Sequence, residues 1–128
     1  MKYLELEQLS FIQIDHTSRC NLQCPQCART HQGKLNPELP LNELTVDDYS
    51  RIFNADFFKQ TKNLKRFLFN GNYGDSIISD TLKPSLLYLI EAGIAQITVM
   101  TNGSLRTPAW WTDLAKILNR KSDKVVFS

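Results

Sequence analysis

Apolar residues recur along this chain with two periods that take turns. Residues 11–14, Phe-Ile-Gln-Ile, alternate with period two, the mark of a short half-buried strand. Val46, Tyr49, Ile52, Phe53 and Phe57 fall at helical spacing, behind Thr45 with Asp48 three residues on. A threonine followed at that distance by an acid predicts a capped helix start. Residues 64–69 predict a second strand, and 81–92 a second helix with Pro84 in its first turn and Gly93 as its stop. Residues 95–100 are β-branched and apolar and predict a third strand. Thr107-Pro108 opens a third helix, since proline suits the first helical position, and Trp110, Leu114, Ile117 and Leu118 form its inner stripe. Residues 124–128 begin a fourth strand. Only residues 31–42, with Gly33, Pro37 and Pro40, read as polar and turn-rich.

Strand and helix alternating as βαβαβαβ imply an α/β fold of parallel strands joined by helical crossovers. It is either an open doubly wound sheet or part of a (β/α) barrel. Both gather functional loops at the C-terminal ends of the strands. The first three strands deliver there a cysteine-bearing loop, residues 71–75 and residues 101–103. The fourth strand is apolar and last, which leaves an unpaired sheet edge. The expectation is a fragment, or a chain that needs a partner to complete the sheet.

Composition narrows the class without naming it. The chain has 128 residues, 42% apolar and 22% charged, which suits one globular domain with its own core. Fifteen basic against thirteen acidic residues leave +2, too little to argue for nucleic acid. The basic bunches at 59–66 and 116–124 read as solvated faces. The N-terminal residues lack a secretory pattern, and no stretch nears the roughly 18 apolar residues of a membrane span. A cytoplasmic location is expected. In a reducing compartment clustered cysteines read as metal-binding or redox groups, not as a disulfide framework.

All three cysteines, Cys20, Cys24 and Cys27, lie within eight residues, just after the first strand. Two inorganic centres suit them. Zinc would take Cys20, Cys24 and Cys27 with His31 as a Cys3His set. A [4Fe–4S] cluster is held by thiolates, and three of them leave one iron open to an added ligand. Unassisted spacing does not choose between these.

Cys20-x3-Cys24-x2-Cys27 and its flanks, Asp15-His-Thr-Ser-Arg-Cys-Asn-Leu-Gln-Cys-Pro-Gln-Cys27, resemble the signature of the radical S-adenosylmethionine (radical SAM) enzymes. Gly71, Asn72, Tyr73, Gly74 and Asp75 stand where that family keeps a Gly-Gly-Glu motif, with Asp75 in place of the usual Glu and Ser76 in place of a frequent Pro. Thr101, Asn102 and Gly103 match a Thr-Asn-Gly found in many members. Gln26 occupies the position before the third cysteine that is often aromatic or large and apolar. The resemblance runs from about residue 11 to the end.

The resemblance implies the N-terminal portion of a partial (β/α)6 TIM-like barrel, a radical SAM core over 1–128 truncated at its fourth strand. It implies Cys20, Cys24 and Cys27 as ligands of a [4Fe–4S] cluster, and 71–75, Gln26 and 101–103 as contacts of S-adenosylmethionine. The implied activity is reductive cleavage of S-adenosylmethionine to a 5′-deoxyadenosyl radical that abstracts hydrogen from a substrate. The implied partners are a one-electron donor such as flavodoxin or ferredoxin, and a substrate among peptides, proteins and cofactor precursors. A catalytically inactive fragment and the Cys3His zinc module are the alternatives. His16 and Arg19 read as turn contacts or solvent-exposed groups. Trp110 and Trp111 read as helix packing.

Overall fold

The computed structural model describes residues 3–128. Four parallel strands form the central sheet: β1 (Phe11–Asp15), β4 (Arg66–Asn70), β5 (Gln96–Thr101) and β6 (Lys124–Phe127). Their spatial order, β1-β4-β5-β6, is their chain order. Sequential order without reversal puts every right-handed crossover on the same face of the sheet. That arrangement differs from a doubly wound sheet, whose order reverses at a switch point. Between β1 and β4 lie a two-stranded antiparallel hairpin, β2 (Thr30–His31) and β3 (Lys34–Leu35), then helices α1 (Val46–Ile52) and α2 (Ala55–Gln60). Helix α3 (Leu82–Glu91) joins β4 to β5, and α4 (Pro108–Ile117) joins β5 to β6.

The core lies between the sheet and these helices. Phe67, Phe69, Ile97 and Val99 project from the sheet into one cluster with Tyr49 and Phe53, with Leu82, Leu86 and Leu89 of α3, and with Leu114 of α4. The period of two sends the intervening residues to the other face. There Gln13, Leu68, Thr98 and Lys124 stand in one register row across all four strands, half-buried or exposed. Gly93 ends α3 at φ +92, a conformation that suits glycine.

Two expectations are corrected. The helix beginning at Thr45 is two helices. Thr45 caps α1 with Asp48 reciprocating, as its sequence predicts, but Asn54 accepts the Phe57 backbone N–H at 3.0 Å and starts α2 afresh. An asparagine side chain that bonds its own backbone competes with helix continuation. The break resets the helical phase, so Phe53 turns inward against Phe67 while Ile52 is 52% exposed. The turn-rich stretch holds the β2–β3 hairpin, closed by Gln32 and Gly33 at φ 50 and 75. Two consecutive positive φ values make the turn that a right-twisted hairpin prefers.

Trp110 and Trp111 pack as expected, edge to face at 5.2 Å, with Lys83 Nζ lying 4.8 Å over the Trp110 ring. Among the described residues no helix is long and apolar enough to cross a membrane.

Candidate functional site

The site is built where β1, β4 and β5 end side by side. The chain leaving β1 is pinned first. Thr17 forms an isolated antiparallel bridge with Glu43, and Leu44 N–H donates to the His16 carbonyl at 2.8 Å. His16 is fully buried: Nδ1 lies 2.9 Å from the Tyr49 hydroxyl, and Nε2 lies 3.2 Å from both Ser79 Oγ and Thr81 Oγ1. Burial pushes its pKa down to about 4 against the opposing pull of Glu43, so the ring is neutral at pH 7. Burial likewise pushes the Tyr49 phenol up. The reading of His16 as a turn or solvent residue is therefore corrected: it is a core histidine tying β1 to α1 and α3. Its period-two position after Ile12 and Ile14, which also face the core, was the available signal. Arg19 is exposed, as read.

Three loops are then locked together by Asp75, which is 4% exposed. Its Oδ2 accepts from Thr101 Oγ1 and from Asn102 N–H, both at 2.8 Å, while Oδ1 accepts from Ile77 N–H at 3.2 Å. Its own N–H donates to the Arg19 carbonyl at 2.8 Å. The carboxylate thus joins the 71–75 loop to the 101–103 loop, and the backbone joins it to the cysteine loop. Its side chain is committed to the protein and has no oxygen left without a donor.

Gly74 is needed for the same joint. A Cβ there would collide with the Thr17 and Arg19 carbonyls, which are backbone atoms and cannot swing aside. A Cβ on Gly71 would lie 2.5 Å from the Gly74 carbonyl oxygen. Both glycines are explained by close approach of chain to chain, before any ligand is considered.

Asn102 reaches back to the cysteines. Its Oδ1 accepts from Ser104 N–H at 2.8 Å and Ser104 Oγ at 2.6 Å, which fixes the orientation of the amide. Its Nδ2 then donates to Asn21 Oδ1 at 3.2 Å and to Cys20 Sγ at 3.6 Å. Cys20 Sγ also accepts from Leu22 N–H at 3.4 Å.

The three thiols are free and line one cavity of about 150 Å³. Gly71, Gly74 and Asp75 line it from β4's loop, and Thr101 and Asn102 from β5's. Arg29, which no sequence pattern singled out, completes the wall. Four residues predicted at the site are not in this lining. Gln26 is exposed. Asn72 turns to Asp15, donating its N–H at 3.0 Å and its Nδ2 at 3.3 Å. Tyr73 lines a neighbouring cavity of about 320 Å³ with Leu39, Pro40 and Leu44. Gly103, at φ +69, lies under the Phe127 ring, where a Cβ would come within 2.5 Å of Cδ1.

The donor set can be compared with each centre. A single zinc ion needs its ligands about 2.0 to 2.3 Å from one point. Among the described residues no three Cys, His, Asp or Glu side chains converge that closely, and His31 lies exposed on the hairpin outside the cavity. A polynuclear cluster needs thiols spread around a volume. The three free cysteines lining one cavity, with N–H donors directed at the Cys20 sulfur, supply the thiol donors such a cluster uses, but among the described residues they do not converge on a metal position.

No family model and no curated protein matches this chain. Solved structures do. The crystal structure of BtrN in complex with AdoMet and 2-DOIA is similar at TM-score 0.58 and 20% identity, over 91% of this chain and 44% of that one. Selenomethionine BtrN in an open conformation is similar at TM-score 0.57 and 19% identity, over 99% and 58%. The chain therefore spans about half the length of the chains it resembles. At these identities the likeness is one of fold.

Proposed function

We propose that this chain is the N-terminal part of a radical SAM core, its sheet the first four strands of a partial (β/α)6 barrel. In this reading Cys20, Cys24 and Cys27 hold a [4Fe–4S] cluster, and S-adenosylmethionine lies across the ends of β4 and β5. One observation carries the reading: three free thiols share a single cavity with the glycine shelf and the Thr-Asn pair, at adjacent ends of parallel strands. The singly wound sheet and the BtrN likeness support it at the level of the fold.

Bound together, the cluster and S-adenosylmethionine supply a carbon-centred radical through one-electron reductive cleavage. This chain's residues hold and shield that chemistry. The thiols bind iron, and the Asp75 joint keeps the three loops in register. Gly71 leaves main chain exposed at the rim, and the buried Gly74 lets the loop close on the Thr17 and Arg19 carbonyls. Gly71, Gly74, Thr101 and Asn102 are the proposed contacts within the cysteine cavity, with Asp75 holding them, and Gln26, Asn72, Tyr73 and Gly103 are proposed contacts outside it. The electron comes from a flavodoxin- or ferredoxin-type donor. The substrate is a peptide, a protein or a cofactor precursor.

Anaerobic reconstitution with iron and sulfide tests the reading. The expected product is brown, with broad absorbance and about four irons per chain held by thiolates. Cys24→Ala should lose the cluster. A colourless chain retaining one zinc would overturn it.

A further inference from the structure

Half-buried cations in this fold come with a carboxylate. Arg106 pairs with Asp80 at 2.9 Å, Arg120 with Asp123 at 2.7 Å and Lys83 with Asp113 at 3.6 Å. Arg29 is more deeply buried than any of these, at 5% exposed, and among the described residues it has no carboxylate within ion-pair distance. Its Nε donates to the Ser18 carbonyl at 2.9 Å and its Nη1 to the Leu22 carbonyl at 3.2 Å. Among the described residues no acceptor takes Nη2. Asp75, the other buried charge on the cavity wall, is occupied by three donors of its own. A guanidinium cannot shed its proton to escape burial, so an unpaired one stands at a continuing cost.

We propose that Arg29 is the fixed cation of the cysteine cavity, and that its missing counter-charge is an anionic occupant of that cavity. The inference rests on the proposed function and adds the electrostatic role of a residue outside the cysteine motif. Three thiolates outweigh the positive core of a [4Fe–4S] cluster, so the assembly is anionic and becomes more so on reduction. A buried cation on the wall favours the reduced state and raises the potential, as net charge around a cluster does generally. Arg29 also brackets Cys20 through the Ser18 and Leu22 carbonyls. A purely mechanical clamp is the competing account.

The two accounts separate in a redox titration. The full chain is reconstituted with iron and sulfide, and the reduced-cluster resonance is followed by electron paramagnetic resonance against dithionite. Arg29→Gln keeps a donor but no charge; Arg29→Lys keeps the charge but no fork. Arg29→Gln is expected to load iron and to lose at least tenfold in its reduction equilibrium, a fall of about 59 mV for one electron. Arg29→Lys is expected to recover most of that shift. A loaded Arg29→Gln chain with the wild-type midpoint overturns the proposal. Should Arg29→Gln fail to fold or load, Arg29→Lys decides. Loading at a near-wild-type midpoint supports the charge, and failure of both variants favours the clamp and overturns it. A wild-type chain that takes no iron refutes the proposed function itself, before any variant is compared.

Discussion

Replacing Asp75 by Asn is the most demanding test of how the three loops are held. The carboxylate accepts three protein donors, two of them backbone N–H groups, in a site only 4% exposed. An amide keeps one acceptor oxygen and turns an N–H2 toward the rest. Whichever way it sits, either Ile77 N–H or Asn102 N–H loses its acceptor and faces another donor. Thr101 can rotate its hydroxyl; the backbone groups cannot. Losing one charge-assisted bond costs about 1.5 to 3 kcal/mol, and the stranded buried donor adds a comparable penalty. A combined loss of about 3 kcal/mol would be a large share of a domain's typical 5 to 15 kcal/mol. Urea unfolding followed by circular dichroism reads it directly: with a slope of about 2 kcal/mol per molar, the midpoint should fall by roughly 1.5 M. Asp75→Asn with a midpoint within about 0.2 M of wild type would refute the idea that this carboxylate joins the loops.

The other predictions concern the same rim. His16 has a folded pKa of about 4 against an ordinary 6.5, so the unfolded chain binds a proton that the folded chain refuses. Stability should be flat above pH 6.5 and fall by about 3 kcal/mol on the way down to pH 4. Below that range Asp123 takes over: burial pushes its carboxyl up, but hydrogen bonds from Arg120 and the Ile97 N–H outweigh that and hold it below the usual carboxylate value. His16→Gln should abolish the upper slope, and a slope that persists in the variant would assign it elsewhere. Gly74→Ala, whose Cβ meets two backbone carbonyls, should lose about 3 kcal/mol, against about 1 kcal/mol for Gly93→Ala, which strains only φ. Equal losses in thermal unfolding would contradict the packing argument. Ser76 Oγ is buried without a partner, so Ser76→Ala should raise stability by about 1 kcal/mol; a destabilised variant would mean the hydroxyl is satisfied.

The framework was legible because local signals agreed with the global pattern. Alternation at 11–14, the β-branched apolar run at 95–100, Pro108 at a helix start and Gly93 at a helix stop all point to the parallel α/β order that is seen. The helix break at Asn54 was hidden because the apolar spacing continues across it, and the competing signal is a single capping side chain. The site was legible as an address and less so as an arrangement. Cysteine spacing and glycine positions identified the loops that meet. Which face each side chain turns to depends on long-range partners: Asp15 draws Asn72 away, and the Thr17 and Arg19 carbonyls, not a ligand, demand Gly74. Arg29 carried no sequence signal at all. Its meaning comes from burial and a missing carboxylate, neither visible in one dimension.

The anchoring of the cysteine loop is unevenly distributed. Residues 16–19 are fastened to the core and to the 42–44 segment, whereas residues 20–26 are mostly exposed and held from outside chiefly by the Asn102 and Ser104 side chains and by Arg29 on the Leu22 carbonyl. Local opening free energy follows such contact density. Amide protons at 20–26 should exchange quickly in the metal-free chain while those of β4 and β5 stay protected. Under the proposed function, a cluster would then be loaded onto a sheet that is already folded, with the mostly exposed 20–26 segment as the part that adjusts.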